Sequence, residues 1–223
     1  MQISVVANTK QLTKHLNRSQ RKQIPFATSK ALNNVAFDAQ SFIKKSLPRR
    51  LDRPTGDPSK GKGGIIGSVQ VQQSKKKNLV ARVGFAGLGF RSTKWKESPA
   101  EIMRRHIQGG TRSPQGKAIP VPIVKNIKLN KFGNLPRTKI KTLLAKPDKY
   151  FSGQPKGRDA GIYERTKRTK RKPGKLKMLI NWESTTQYQG GRFPLQKIVE
   201  LAIKKKYRMR FDAALNNALR SAR

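Results

Sequence analysis

The sequence predicts an α+β fold: two long amphipathic helices near the termini packed on a small, mostly antiparallel sheet, with extended basic loops between them. Three observations predict it. Apolar residues recur at three- and four-residue steps from Pro25 to Leu47, and again from Phe193 to Ala222. Strict alternation marks Val69 to Gln72 and Ala81 to Phe85 on either side of a polar turn. A later alternating run, Leu176, Met178, Ile180 and Trp182, follows Pro173 and Gly174.

In the first helix Ala27, Ala31, Leu32, Val35, Ala36, Ala39, Phe42, Ile43 and Leu47 share one face. Pro25 suits its first turn, and Pro48 is expected to stop it. From Arg49 to Gly64 the chain is rich in Pro, Gly, Asp and basic residues, which reads as a surface loop. The hairpin turn Ser74-Lys75-Lys76-Lys77-Asn78 puts a lysine triplet at the tip, where it is best solvated. Ser98-Pro99-Ala100-Glu101 is a capping box with proline at the first helical position, and Gly109-Gly110 ends the helix that follows. Prolines 120 and 122 confine the extended stretch from Lys117 to Val124 to an edge or a loop.

Residues 125–174 show little periodicity and many charges, so extended basic loops or arms are expected there. The last helix is lined by Leu195, Ile198, Val199, Ala202, Phe211, Ala214, Leu215, Ala218, Leu219 and Ala222. Its basic patch, Lys204 to Arg210, is expected to bend or interrupt it. The whole reads as a single domain over 1–223, with compact parts at about 24–48, 65–124 and 175–223. The stretches 49–64 and 125–174 are its loops or arms.

Composition narrows the function. Fifty-one lysines and arginines oppose eleven acids in 223 residues, a formal net charge of +40. Self-repulsion at that density opposes compaction, so something negative is expected close by. There is no cysteine, which removes disulfides, thiolate zinc sites and cysteine nucleophiles. The N-terminus lacks the basic and apolar regions of a secretory signal, and no apolar run reaches the roughly 18 residues of a membrane span. A soluble protein assembled in the cytoplasm, with no membrane partner, is the expectation.

The candidate chemistry is thin. Gly56-Asp57-Pro58-Ser59-Lys60-Gly61-Lys62-Gly63 approaches a phosphate-binding loop, yet Gly63 stands where the motif needs Ser or Thr. A flexible loop is the better reading. His106 has Glu101 five positions back, on a different helical face, so an acid–base pair is disfavoured. Two histidines and eleven scattered acids support no metal site, and neither a cofactor nor a catalytic residue is expected.

What remains is basic surface. The candidate contacts to DNA or to an acidic partner are Lys75, Lys76 and Lys77; Arg165, Lys167, Arg168, Lys170, Arg171 and Lys172; and Lys204, Lys205 and Lys206. Only Tyr163 and Tyr207 lie near these runs, too few for stacking on single strands, so base-specific readout has no support. A solvated or protein-paired basic face is the competing reading.

Four stretches together resemble the minor tail protein Z family, the tail completion proteins of long-tailed bacteriophages. They are Ile24-Pro25-Phe26-Ala27 through Val35-Ala36; Ser98 through Gln108-Gly109-Gly110-Thr111-Arg112; Gly161-Ile162-Tyr163-Glu164-Arg165 with Leu176 through Ile180; and Tyr188 with Arg192-Phe193-Pro194 leading to Phe211 through Leu219. The resemblance implies a non-enzymatic virion protein at the head-proximal end of the tail, needed for tail completion and head–tail joining. It also implies a ring of copies around the DNA channel, a hexamer being the natural expectation. Partners would then be the chain's own copies, neighbouring neck and tail proteins, and duplex DNA without sequence specificity. The alternative is a basic nucleic-acid-binding protein of ribosomal-protein type, which charge and length fit equally well. A ring about 40 Å tall would enclose only about 24 phosphates, while six copies would carry about +240. Most of the charge is therefore expected to meet acidic protein neighbours, counterions or nucleic acid outside the channel, and reads as mainly an assembly surface with DNA contact the smaller share.

Overall fold

Side chains spaced to bury one stripe of a helix recur at both ends of the chain, and the two longest helices form there. The computed structural model describes residues 2–6, 18–57, 59, 61–87, 89–91, 97–166 and 174–220. In chain order the elements are β1 (Gln2–Val6), α1 (Arg18–Arg50), α2 (Gly64–Gly67), β2 (Val69–Gln72), β3 (Val80–Phe85), α3 (Pro99–Gln108) and β4 (Gly110–Arg112). There follow β5 (Ile119–Pro122), α4 (Lys139–Leu144), β6 (Tyr150–Gly153), β7 (Gly161–Arg165), β8 (Leu176–Glu183), β9 (Thr186–Tyr188) and α5 (Leu195–Arg220). Long helices on antiparallel sheets make the fold α+β, as predicted. Where a single domain is expected, the chain divides into two compact units: Met1–Gly109 with Gln189–Arg223, and Gly110–Tyr188.

In the first unit β1, β3 and β2 form an antiparallel sheet in that spatial order. Val71 and Ile3 both stand opposite Val83, and Val69 stands opposite Phe85. Ile43 and Leu47 of α1, Ile66 of α2, Val69, Val83 and Phe85 of the sheet, Met103 of α3 and Val199 of α5 close one core. A second seam consists of Ala27, Ala31, Ala214 and Ala218, between α1 and α5. Alanines let the two backbones approach closely, at no cost in side-chain entropy. Asp38 on α1 accepts two hydrogen bonds from Arg210 on α5, at 2.8 and 3.0 Å, which fixes how the helices pair.

Both prolines of α1 lie inside it, not at its ends: the helix starts seven residues before Pro25 and runs two beyond Pro48. Each proline deletes one backbone donor, but its fixed φ is helical. Ile24 and Leu47, their neighbours, are fully buried and hold the flanking turns. The Leu51 N–H then closes the last turn on the Leu47 carbonyl at 2.9 Å. Helix α5 is likewise continuous through Lys204 to Arg210, where a bend or break is expected. Tyr207, Arg210 and Phe211 point toward α1 there and leave the lysines outside.

Residues 167–173 lie outside the described ones, and over the described part of 125–174 the second unit overturns the expectation of extended arms. Those residues hold α4, β6 and β7, and the four-stranded antiparallel sheet runs β5-β8-β7-β6. The elements are only four to six residues long, too short for periodicity to be read. β5 is an edge strand, as its prolines require. β4 and β9 pair separately.

The expected alternation of Leu176, Met178, Ile180 and Trp182 is broken. Ile162 of β7 faces Ile180, yet its neighbour Tyr163 faces Met178, so Leu179 is an extra residue in β8. Leu179 and Ile180 both join the core with Ile127, Leu143 and Ile162, while Leu176 and Met178 do not. Gly161 sits beside this bulge because a Cβ there would run into the Ile180 carbonyl oxygen.

Ile43 is fully buried where α1 meets the sheet. Ile43→Ala is expected to lower the unfolding free energy by about 2–5 kcal/mol in urea denaturation; a loss under about 1 kcal/mol would contradict this packing.

Candidate functional site

The lysine triplet stands at the tip of the β2–β3 hairpin, exposed, as the alternation predicts. What positions it is a clasp not foreseen from the sequence. Asn33 on α1 accepts from the Ser74 N–H at 2.7 Å and donates to the Ser74 carbonyl at 3.3 Å, much as a neighbouring strand would. The Ser29 hydroxyl also donates to that carbonyl at 3.1 Å, and the Ser74 hydroxyl reaches the Ser29 carbonyl at 3.1 Å. Ser29 and Ser74 are both buried, so their hydrogen bonds form away from water. Beyond the clasp the backbones of Lys75 and Asn78 pair at 2.9 Å, and the Lys76 ammonium lies 4.9 Å from the Phe26 ring centre.

On α5, Lys204 and Lys205 are exposed and Lys206 is half-buried. Tyr207 packs with Leu32 and Ala36 of α1 and with Leu79 and Ala81 of the hairpin. The hairpin and the α5 patch therefore share one helix as their support. Burial raises the Tyr207 pKa, keeping its hydroxyl neutral.

Arg165 belongs to the second unit. Its guanidinium lies 4.3 Å over Phe151 and donates to the Pro147 carbonyl at 2.6 Å. Phe151 stacks on Tyr163 at 5.7 Å, and the Tyr163 hydroxyl donates to the Asp159 carbonyl at 2.6 Å. Lys149 pairs with Glu164 at 3.1 Å. The loop between β7 and β8 is clamped at its root: Thr166 N–H and hydroxyl donate to the Lys175 carbonyl at 2.9 and 2.8 Å, and the Lys175 N–H donates back to the hydroxyl at 2.8 Å. Lys167, Arg168, Lys170, Arg171 and Lys172 lie outside the described residues. Tyr163 is fully buried and Tyr207 is half-buried and packed on α1, while Phe26 beside Lys76 stays exposed and keeps an aromatic face at the hairpin surface.

The phosphate-loop candidate fails on its own hydrogen bonds. The Ile65 N–H donates to the Thr55 hydroxyl at 3.1 Å and the Ile66 N–H to the Thr55 carbonyl at 3.2 Å, so these amides are turned inward. Among its described residues the segment is a loop of turns with one isolated bridge, as the loop reading has it. Asp57 and Lys62 pair across it, and Gly64, at φ +52°, packs against Thr55 where a Cβ would collide.

The capping box forms as read: the Ser98 hydroxyl accepts from the Glu101 N–H at 3.2 Å, and the Ser98 N–H donates to the Glu101 carboxylate at 3.0 Å. That backbone bond, with the Ser98 hydroxyl, holds the Glu101 carboxyl below its usual pKa. Glu97 pairs instead with the nearly buried Arg105. His106 is half-buried, and burial, then Arg192 and Arg105, push its pKa below the ordinary value. Neither carboxylate is thus poised to exchange a proton with the imidazole. Among the described residues, no group of three or more His, Asp or Glu could hold a metal ion, and no helix is long and apolar enough to cross a membrane. Comparison of the chain with family models, with curated proteins and with solved structures finds no match.

Two predictions follow from these contacts. Asn33→Ala is expected to cost about 1–3 kcal/mol and to speed hydrogen exchange at the Ser74 amide; unchanged exchange would contradict the clasp. His106 binds its proton less readily folded than unfolded, so its neutral form supports the fold fully above about pH 6.5. That support falls as the pH drops through the folded value. His106→Gln should flatten the loss of urea stability over this acid window, and an unchanged slope would contradict the burial of the ring.

Proposed function

We propose that the chain is a non-enzymatic virion protein of a long-tailed bacteriophage, a tail completion protein of the minor tail protein Z kind. It would sit at the head-proximal end of the tail and serve tail completion and head–tail joining. Copies would form a ring around the DNA channel, a hexamer by natural expectation, in contact with neck and tail neighbours and, less extensively, with duplex DNA.

The observation that carries this reading is where the four resembling stretches lie. Ile24 to Ala36 supplies much of the buried face of α1. Ser98 to Arg112 is the capped helix α3 with β4, and Gly161 to Arg165 with Leu176 to Ile180 are the paired strands β7 and β8. Arg192 to Leu219 leads into and makes up most of α5. The resemblance thus falls on the framework of both units and not on their loops. A scaffold with exposed lysines, on a hairpin tip and a helix, suits a subunit that meets neighbours through charge. The ribosomal-type alternative would draw on aromatic faces, and of Tyr163, Tyr207 and Phe26 near the basic runs it finds Phe26 alone exposed.

The protein is expected in purified virions at a few copies, and its loss should leave separate filled heads and tails; normal virions lacking it would overturn the proposal. Replacing Arg165, Lys167, Arg168, Lys170, Arg171 and Lys172 by glutamine should weaken head–tail joining or DNA retention while both units still fold. Unchanged infectivity would contradict a role for that run.

A further inference from the structure

The outer face of α5 combines two features that solvent alone does not explain. Leu201 and Met209 are 48% and 52% exposed. They are set among Lys204, Lys205 and Arg208, which are exposed as well. Lys205 stands four positions from each, so on a helix all five residues form one continuous surface. Beside it, at the start of α5, a cleft of about 310 Å³ is floored by Ile107, Phe193, Pro194 and Leu195, with Lys197 and Glu200 at its rim. Lys197 and Glu200 lie one turn before Leu201 and Lys204, so the cleft runs into the exposed face.

We infer that this face is a docking surface for an acidic protein segment. That segment lays carboxylates along Lys204, Lys205 and Arg208, covers Leu201 and Met209 with apolar side chains, and seats one such side chain in the cleft. An apolar anchor in a pocket beside a mainly basic face is how small interfaces gain both affinity and register, and Glu200 at the rim and Asp212, 4.0 Å from Arg208, are the acids beside it. Nucleic acid would satisfy the lysines yet leave the leucine and methionine against phosphate and sugar. A second copy would bring a chain of the same +40 charge to a positive face. A lipid surface needs a broad apolar stripe, and that stripe of α5 is already buried against α1 and the first core. The proposal stands on α5 and the cleft and does not depend on the tail reading.

The test uses the full chain and four labelled probes at about 0.15 M salt. They are a synthetic helical peptide of about 20 residues with one glutamate and one leucine face, the same peptide with serines for leucines, a duplex oligonucleotide of about 20 base pairs, and vesicles containing anionic phosphatidylglycerol. The leucine peptide should bind about tenfold tighter than its serine counterpart. The double variant Leu201→Ser/Met209→Ser should abolish that advantage while leaving duplex binding unchanged. Both positions are exposed, so the fold should survive; circular dichroism checks it, and Lys204→Gln/Lys205→Gln is the second variant, expected to weaken the leucine peptide. Equal affinity for the two peptides, an advantage untouched by either variant, or a loss confined to duplex or vesicles would overturn the proposal.

Discussion

Fifty-one basic side chains against eleven acids leave this chain with too few carboxylates to neutralise itself, and the way those few are committed shapes the rest. Among the described residues there are five ion pairs. Asp38 with Arg210 joins the two long helices, Glu97 with the nearly buried Arg105 secures α3, and Glu164 with Lys149 ties β7 to the end of the loop before β6. Glu101 caps α3, and Asp57 closes a turn on the Ser59 N–H at 3.0 Å. Asp38, Glu97 and Glu164 thus stand at joints between elements, while Asp52 and Asp212 form exposed local pairs with Arg53 and Arg208. Most of the described lysines and arginines outside these pairs are exposed.

Helix α1 carries the consequences of that constraint. One face meets the sheet through Ile43 and Leu47, another meets α5 through alanines, and its polar side holds the hairpin tip through Ser29 and Asn33. Because α1 packs against both the hairpin and α5, one helix positions the lysine triplet and the α5 patch. An interface with opposite charge would trade self-repulsion for attraction at such a surface.

The long helices, the hairpin and the capped helix were legible because each carries a pattern several turns or a full strand pair long. The prolines misled at the ends of α1, since local punctuation is overridden where Ile24 and Leu47 are buried. The second unit was hidden because its strands and α4 are short and their charges fall on exposed sides, so lysine density resembled an arm. The bulge at Leu179 depends on a cross-strand register that no single strand encodes. The lysines of the candidate surfaces were evident from composition; the Asn33 clasp was not, because 41 residues separate its partners. Leu201 and Met209 had a signal available, for both fall off the apolar stripe of α5, and only the structure makes their exposure plain.

The central claim is that the charge of +40, which the chain's own carboxylates leave unneutralised, opposes its folding. Urea unfolding of the isolated chain, followed while sodium chloride is raised from about 0.05 to about 0.5 M, tests it most directly. Screening of self-repulsion should then raise the unfolding midpoint steadily with salt. A midpoint that falls as salt rises would mean that attractive pairs inside the chain dominate its electrostatics, and would contradict the account.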